Sequence, residues 1–254
     1  MGRVPRGRIE GLELARFAFA LAVLAYHYLY RGPITGRVDA APGPSWLIYG
    51  RFAVEAFFVI SGYVIARSTQ ASGALDFAIS RTGRLWPALV LCAGLTAACL
   101  FLTEGYVVPV AALAKAVLFA PMLMTERMGM VDSSYWSISI ELRFYLAIGL
   151  LLLAFRRLPN LEVFAALWLA ASAVALFVPA WGPPTLAPYS AYFIVGLLLF
   201  RHEGGSRVAP WLMAPTFLLA GWQSFADYAR LQPDAHWQAG YGIAAAIFAI
   251  TSSR

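Results

Sequence analysis

The sequence predicts an all-α protein, a polytopic bundle of about eight transmembrane spans with one re-entrant or interfacial segment. Three observations predict it. Of 254 residues, 61% are hydrophobic and only 13% are charged, whereas a soluble domain carries nearer a quarter charged residues. Mean hydropathy is +0.69. Apolar runs long enough to cross a bilayer recur along most of the chain.

The expected spans are 12–30, 46–66, 85–103, 136–155, 161–179, 186–200, 208–226 and 239–253. The first has no small-residue cleavage site and is long enough to span, so it reads as a retained helix and not a signal peptide. Pro33, Pro42 and Pro44 break the chain before the second span, and Pro183, Pro184 and Pro188 introduce the span at 186. Gly204 and Gly205 mark the turn after it. The stretch 106–124 is apolar, but Lys115 lies in it and Pro109 and Pro121 flank it. Treating it as re-entrant or interfacial puts the strong basic clusters on one side: Arg3/Arg6/Arg8, Arg67/Arg81/Arg84, Arg156/Arg157 and Arg201/Arg207. The positive-inside rule then makes that side, and the amino terminus, cytoplasmic. Non-spanning backbone at membrane depth must be surrounded by protein or water, so this segment is expected to help line a cavity.

The net charge of +6 is spread over segment ends. It reads as topology and contact with anionic lipid, and excludes a nucleic-acid surface. Cys92 and Cys99 are the cysteines. A helix separates them by about 10 Å of rise, too far for a disulfide, and they read as buried small hydrophobes. No Cys or His spacing suits a metal. The chain shows no repeat and no soluble domain, so it reads as one membrane-embedded domain over 1–254.

Ionisable groups inside a bilayer are costly, and are usually kept where they line a cavity or do chemistry. Arg16 and His27 both fall in the first span. Eleven residues on an α-helix make three turns plus about 20° and rise about 16 Å, so the two share a face at different depths. Glu13 is one turn from Arg16, close enough to pair with it. Glu55 opens the second span and needs a partner or a wet cavity, and Ser61-Gly62 within it would allow close helix approach. Arg81 and Arg84 are three apart, share a helix face and can grip phosphate with two planar forks. Ser137 and Glu141 share a face of the span at 136; Glu141 can accept from an imidazole, orient a substrate hydroxyl or pair with Arg143. Each residue alone also has an ordinary structural reading, as a packing histidine, a snorkelling arginine or topological charge.

Their order is more specific than any one of them. Arg16-x10-His27, the block Glu55…Phe57-Phe58-Val59-Ile60-Ser61-Gly62-Tyr63, Arg81-x-x-Arg84-Leu85-Trp86-Pro87, Trp136-Ser137-Ile138-Ser139-Ile140-Glu141 and the later Tyr192-Phe193-Ile194-Val195-Gly196 together resemble the acyltransferase-3 family. These are integral membrane O-acyltransferases that modify sugars and polysaccharides. The resemblance implies a place in the bacterial cytoplasmic (inner) membrane. It implies an acyl-CoA donor, usually acetyl-CoA, entering from the cytoplasm, and a carbohydrate acceptor. Lipopolysaccharide, exopolysaccharide, peptidoglycan sugars and small glycosides all fit. It makes His27 the catalytic residue, as general base or transient acyl carrier, with Arg16 its motif partner and Glu141 the acidic residue of the Trp-Ser block. Arg81 and Arg84 become donor-binding, and Glu55 and Ser137 are expected on the substrate side. No metal is implied. Glu55 stands where the family commonly has aspartate, and the family usually has more spans than this chain carries. The chain is therefore expected to be a fragment or a shortened member. A transporter or flippase of a lipid-linked or sugar substrate is the alternative, with the same polar residues lining its cavity. It has no need of paired arginines beside a donor mouth. Oligomeric state is not legible.

Overall fold

The computed structural model describes residues 6–70, 73–118, 135–156, 160–178, 180 and 185–229. Among them the regular structure is helical throughout: α1 (Arg6–Ala25), a π-helical turn (Tyr26–Arg31), α2 (Gly32–Ile34), a 3-10 helix (Ser45–Phe52), α3 (Ala53–Ser68), α4 (Ala74–Glu104), α5 (Val110–Val117), α6 (Trp136–Phe155), α7 (Leu161–Val174), α8 (Ser190–Glu203) and α9 (Ala209–Ala229). Among the described residues, four stretches are long and apolar enough to cross a membrane: Gly11–Ile34, Ser45–Ser68, Ala74–Glu104 and Trp136–Phe155. The all-α transmembrane class holds. Helices of 14 residues, α7 and α8, rise only about 21 Å against a hydrocarbon core of about 30 Å, and the run at 239–253 lies outside the described residues. The chain divides into two compact units, Met1–Ile65 with Glu162–Arg254, and Ala66–Leu161.

In the first unit α8 is the centre. Its sequence is apolar on every side, the pattern of a helix surrounded by others. Tyr192, Phe193, Ile194, Val195, Leu197 and Leu198 are all fully buried. Lipid tails are as apolar as these side chains, so burial alone does not drive the helices together; close packing must. Phe193 stacks on Phe58 of α3 at 4.8 Å between ring centroids, and on Trp168 of α7 at 6.3 Å. Ala165, Ile194, Leu198 and Ala209 join α7, α8 and α9 in one cluster. Polar bonds tie the same helices. Gln223 of α9 donates to the Ala187 carbonyl and to Ser190 Oγ and accepts from the Ala191 N–H, which opens α8. Tyr192 and Ser224 share a hydrogen bond.

In the second unit α4 begins at Ala74, well before the start at 85 expected from hydropathy, and runs through Arg81, Arg84 and Pro87 as one helix. The apolar run marks only the part with long unbroken hydrophobicity; the preceding turns carry charge but remain helical. Gly105, at φ 64°, ends the helix in the left-handed conformation. α5, of eight residues, rises only about 12 Å, too little to span. This agrees with the non-spanning reading of 106–124, whose residues 119–124 lie outside the described ones. Trp86 Nε1 donates to the Val117 carbonyl at 3.0 Å and pins α5 to α4. Leu89, Ala93, Ala116 and Tyr135 form the core there. One expectation is corrected: Cys92 and Cys99 are exposed on α4, not buried. Apolar residues of a membrane-length helix need no protein cover, because lipid supplies it.

Candidate functional site

The first unit holds Arg16, His27 and Glu55. Arg16 lies on α1, and its Nη1 donates to Glu13 Oε1 at 3.0 Å, the pair expected from their spacing. His27 does not continue the α-helix. It is the second residue of the π-helical turn Tyr26–Arg31, and its side chain is exposed within the candidate span Gly11–Ile34. The simple eleven-residue α-helical step from Arg16 therefore ends in a wide turn. Such single turns of i→i+5 bonding interrupt α-helices frequently at functional sites. The buried ring of Tyr26 meets the imidazole edge-on at 5.1 Å and stacks on Tyr30 at 6.3 Å. The Gly32 N–H donates back to the His27 carbonyl. Glu55, in the first turn of α3, is buried, and Phe57 two residues on packs edge-on against Phe19 of α1 at 6.1 Å.

The second unit holds Arg81, Arg84, Ser137 and Glu141. Arg81 is half-buried and Arg84 exposed. The Arg81 guanidinium lies over two aromatic rings, Phe77 at 5.7 Å and Tyr145 at 5.9 Å. A cation held near aromatic faces is attracted by the ring quadrupoles, a contact that uses none of its N–H hydrogen-bonding capacity. Its Nε is buried and has no hydrogen-bond partner among the described residues. Tyr145 then donates its hydroxyl to Glu141 Oε1 at 2.5 Å. Arg81 and Glu141, far apart in sequence, are thus bridged by one tyrosine. Ser137, half-buried, lies one turn before Glu141 on α6.

Between α4 and α6 opens a cavity of about 480 Å³, with Leu75, Leu85, Leu146 and Leu150 among its walls and Arg81, Thr82 and Tyr145 as polar groups. A single fixed guanidinium on apolar walls suits a ligand that is anionic at one point and apolar along its length.

Tyr145, Phe77 and Tyr26 were not among the residues expected from sequence. The first two had a signal: Phe77 to Arg81 and Glu141 to Tyr145 are each four residues apart, the spacing that makes helical neighbours. The π-helical turn had a partial one: Pro33 offers no N–H to the Leu29 carbonyl four residues before it, which interrupts α-helical bonding there without specifying a π turn.

A family model of the acyltransferase domain matches residues 9–252. Among curated proteins, Nodulation protein 10 of Rhizobium leguminosarum bv. viciae is 26% identical over 209 residues, covering 72% of this chain and 52% of that protein. The chain therefore spans about half the length of the curated relative it matches. No solved structure matches. The family match runs through both units and includes every residue of the expected site, so the chain belongs to the acyltransferase-3 family.

Proposed function

We propose that this protein transfers an acyl group, acetyl in the simplest case, from acyl-CoA to a hydroxyl of a sugar or surface polysaccharide. The observation that carries the reading is the family match over residues 9–252, which contains the His27 turn and the Arg81 site in order. We place the protein in the bacterial cytoplasmic membrane, with the amino terminus and the basic clusters cytoplasmic.

In this reading Arg81 and Arg84 take the phosphates of the donor through charge-assisted hydrogen bonds. The cation–π placement of Arg81 over Phe77 and Tyr145 supports the role, because a side chain already held in place loses less freedom on binding. His27 Nε2 or Nδ1 takes the proton of the acceptor hydroxyl as its oxygen attacks the thioester carbonyl. The C–O bond forms, the C–S bond breaks, and the CoA thiolate leaves with the proton now on the imidazole. Ester and free thiol result, and His27 returns to its neutral form. Glu141 and Ser137 orient the acceptor, Glu55 holds the substrate side of the second span, and Arg16 supports the His27 motif.

The test pairs two variants. His27→Ala should insert and fold normally but lose about 10²–10⁴ in turnover. Arg81→Ala/Arg84→Ala should lose the thermal stabilisation that acetyl-CoA gives the wild type. Turnover retained in the first variant, or donor stabilisation retained in the second, would sink the corresponding role.

A further inference from the structure

We propose that Gly50 is a positioning residue for His27, holding the π-helical turn from which the imidazole projects. The proposal rests on the reading of His27 as the catalytic group and adds the device that aims it. A π turn is an unfavourable interruption of an α-helix and persists where its surroundings impose it. The surroundings here are specific. The 3-10 helix Ser45–Phe52 comes so close to the end of α1 that a Cβ on Gly50 would lie 3.0 Å from Tyr26 Cβ and 3.0 Å from the Ala22 carbonyl carbon, and would overlap the Ala22 oxygen. Ala22 and Tyr26 are four apart, one turn of α1, so Gly50 seats on the last ordinary turn before the wide one opens.

Two further contacts hold the turn from outside the helix ladder. The Gly43 N–H donates to the Leu29 carbonyl at 2.7 Å, supplying a donor to a carbonyl whose α-helical partner would be Pro33, which has no N–H. Tyr26, buried and with its Cβ facing Gly50 of the 3-10 helix, carries the ring that meets the imidazole at 5.1 Å. Any side chain at position 50 must push Ala22 and Tyr26 away, and His27 is the next residue in the chain. Misplacement of a catalytic group by about 1 Å can cost on the order of 10²-fold in rate.

The experiment uses the full chain carrying His202→Gln/His236→Gln, which leaves His27 as the one histidine. Its modification by diethyl pyrocarbonate is followed against pH, beside kcat and donor KM for acetyl-CoA. Gly50→Ala should displace the pH midpoint of His27 modification and lower kcat by about 10²-fold, with donor KM unchanged. Tyr26→Leu removes the ring from the imidazole without adding bulk at position 50, and should displace the midpoint as well. An unchanged midpoint in folded Gly50→Ala overturns the proposal, as does a loss of kcat that merely follows a loss of folded protein on size exclusion. Should Gly50→Ala fail to fold, an unchanged midpoint in Tyr26→Leu overturns it. A displaced midpoint alongside full turnover in His27→Ala would support the positioning and overturn only the catalytic role of His27.

Discussion

Gly62 of α3 and Gly196 of α8 cross with no side chain between them: a Cβ on Gly196 would lie 2.9 Å from Gly62 Cα and 2.6 Å from the Tyr63 nitrogen. A Cβ on Gly62 would in turn lie 3.0 Å from the Phe193 carbonyl carbon. Two backbones in direct contact gain the dispersion energy that lipid cannot offer in exchange, which is the usual basis of small-residue helix crossings in membranes. Neither glycine has room for a methyl group unless α3 and α8 separate. Gly62→Ala and Gly196→Ala should each destabilise the protein by about 1–3 kcal/mol, read as a lower melting temperature in detergent. The double variant should cost less than the sum of the two, because the first substitution already opens the crossing. Strict additivity would count against a shared contact.

This crossing shows what was legible in the sequence. Ser61-Gly62 read as a close-approach element from its composition alone, and the later Phe193…Gly196 segment was recognisable, but nothing in one sequence says that the two glycines meet each other. The all-α membrane class and the bounds of α6 were plain, because hydropathy and helix length act locally. The start of α4 was not, since helix continues past the end of the apolar run wherever charged turns remain hydrogen-bonded. The Arg16–Glu13 pair and the shared faces of Arg81/Arg84 and Ser137/Glu141 follow from helical geometry. The π-helical turn at His27 follows only in part: Pro33 denies the Leu29 carbonyl an α-helical partner, but the contacts with residues 43 and 50 that surround the turn are not local.

Gln223 is the polar counterpart of the glycine crossing. Its side-chain carbonyl caps the first turn of α8 at the Ala191 N–H (3.3 Å), and its amide nitrogen serves Ala187 and Ser190. All of these groups are buried away from water. Gln223→Leu keeps the volume but strands a helix-opening N–H, which costs about 1–3 kcal/mol. The variant should melt earlier than wild type, and, if acetyl-CoA is the donor as proposed, stabilisation by it should persist in the folded fraction. A melting temperature equal to wild type would show that the network is dispensable.

At the other end of α8, Arg201 Nη2 lies 3.0 Å from Glu162 Oε1 on α7, and the Tyr63 hydroxyl donates to Glu203 Oε2 at 2.7 Å. Glu162 is the more buried partner, so removing Arg201 takes a cationic partner from a carboxylate that water reaches poorly, while its hydrogen bond from Ser206 remains. Arg201→Leu should therefore destabilise more than Glu162→Leu. Thermal melts of the two single variants and the double decide it. An equal loss in both singles would mean that the pair acts only as an exposed surface bridge, and such bridges contribute little.

Tyr145 offers the sharpest separation of roles. Its ring supports the Arg81 guanidinium, and its hydroxyl engages Glu141. Tyr145→Phe keeps the first contact and removes the second. If Arg81 binds donor and Glu141 orients acceptor, this variant should hold acetyl-CoA with near wild-type affinity and lose roughly tenfold or more in kcat, since a hydrogen bond to a charged group is worth about 1.5–3 kcal/mol. Tyr145→Leu removes both contacts and should also raise the donor KM. Donor titration and turnover measured on both variants provide the comparison. A raised donor KM in Tyr145→Phe would move Glu141 into the donor site. Unchanged kcat in that variant would leave the Tyr145–Glu141 bond a structural feature of α6 alone.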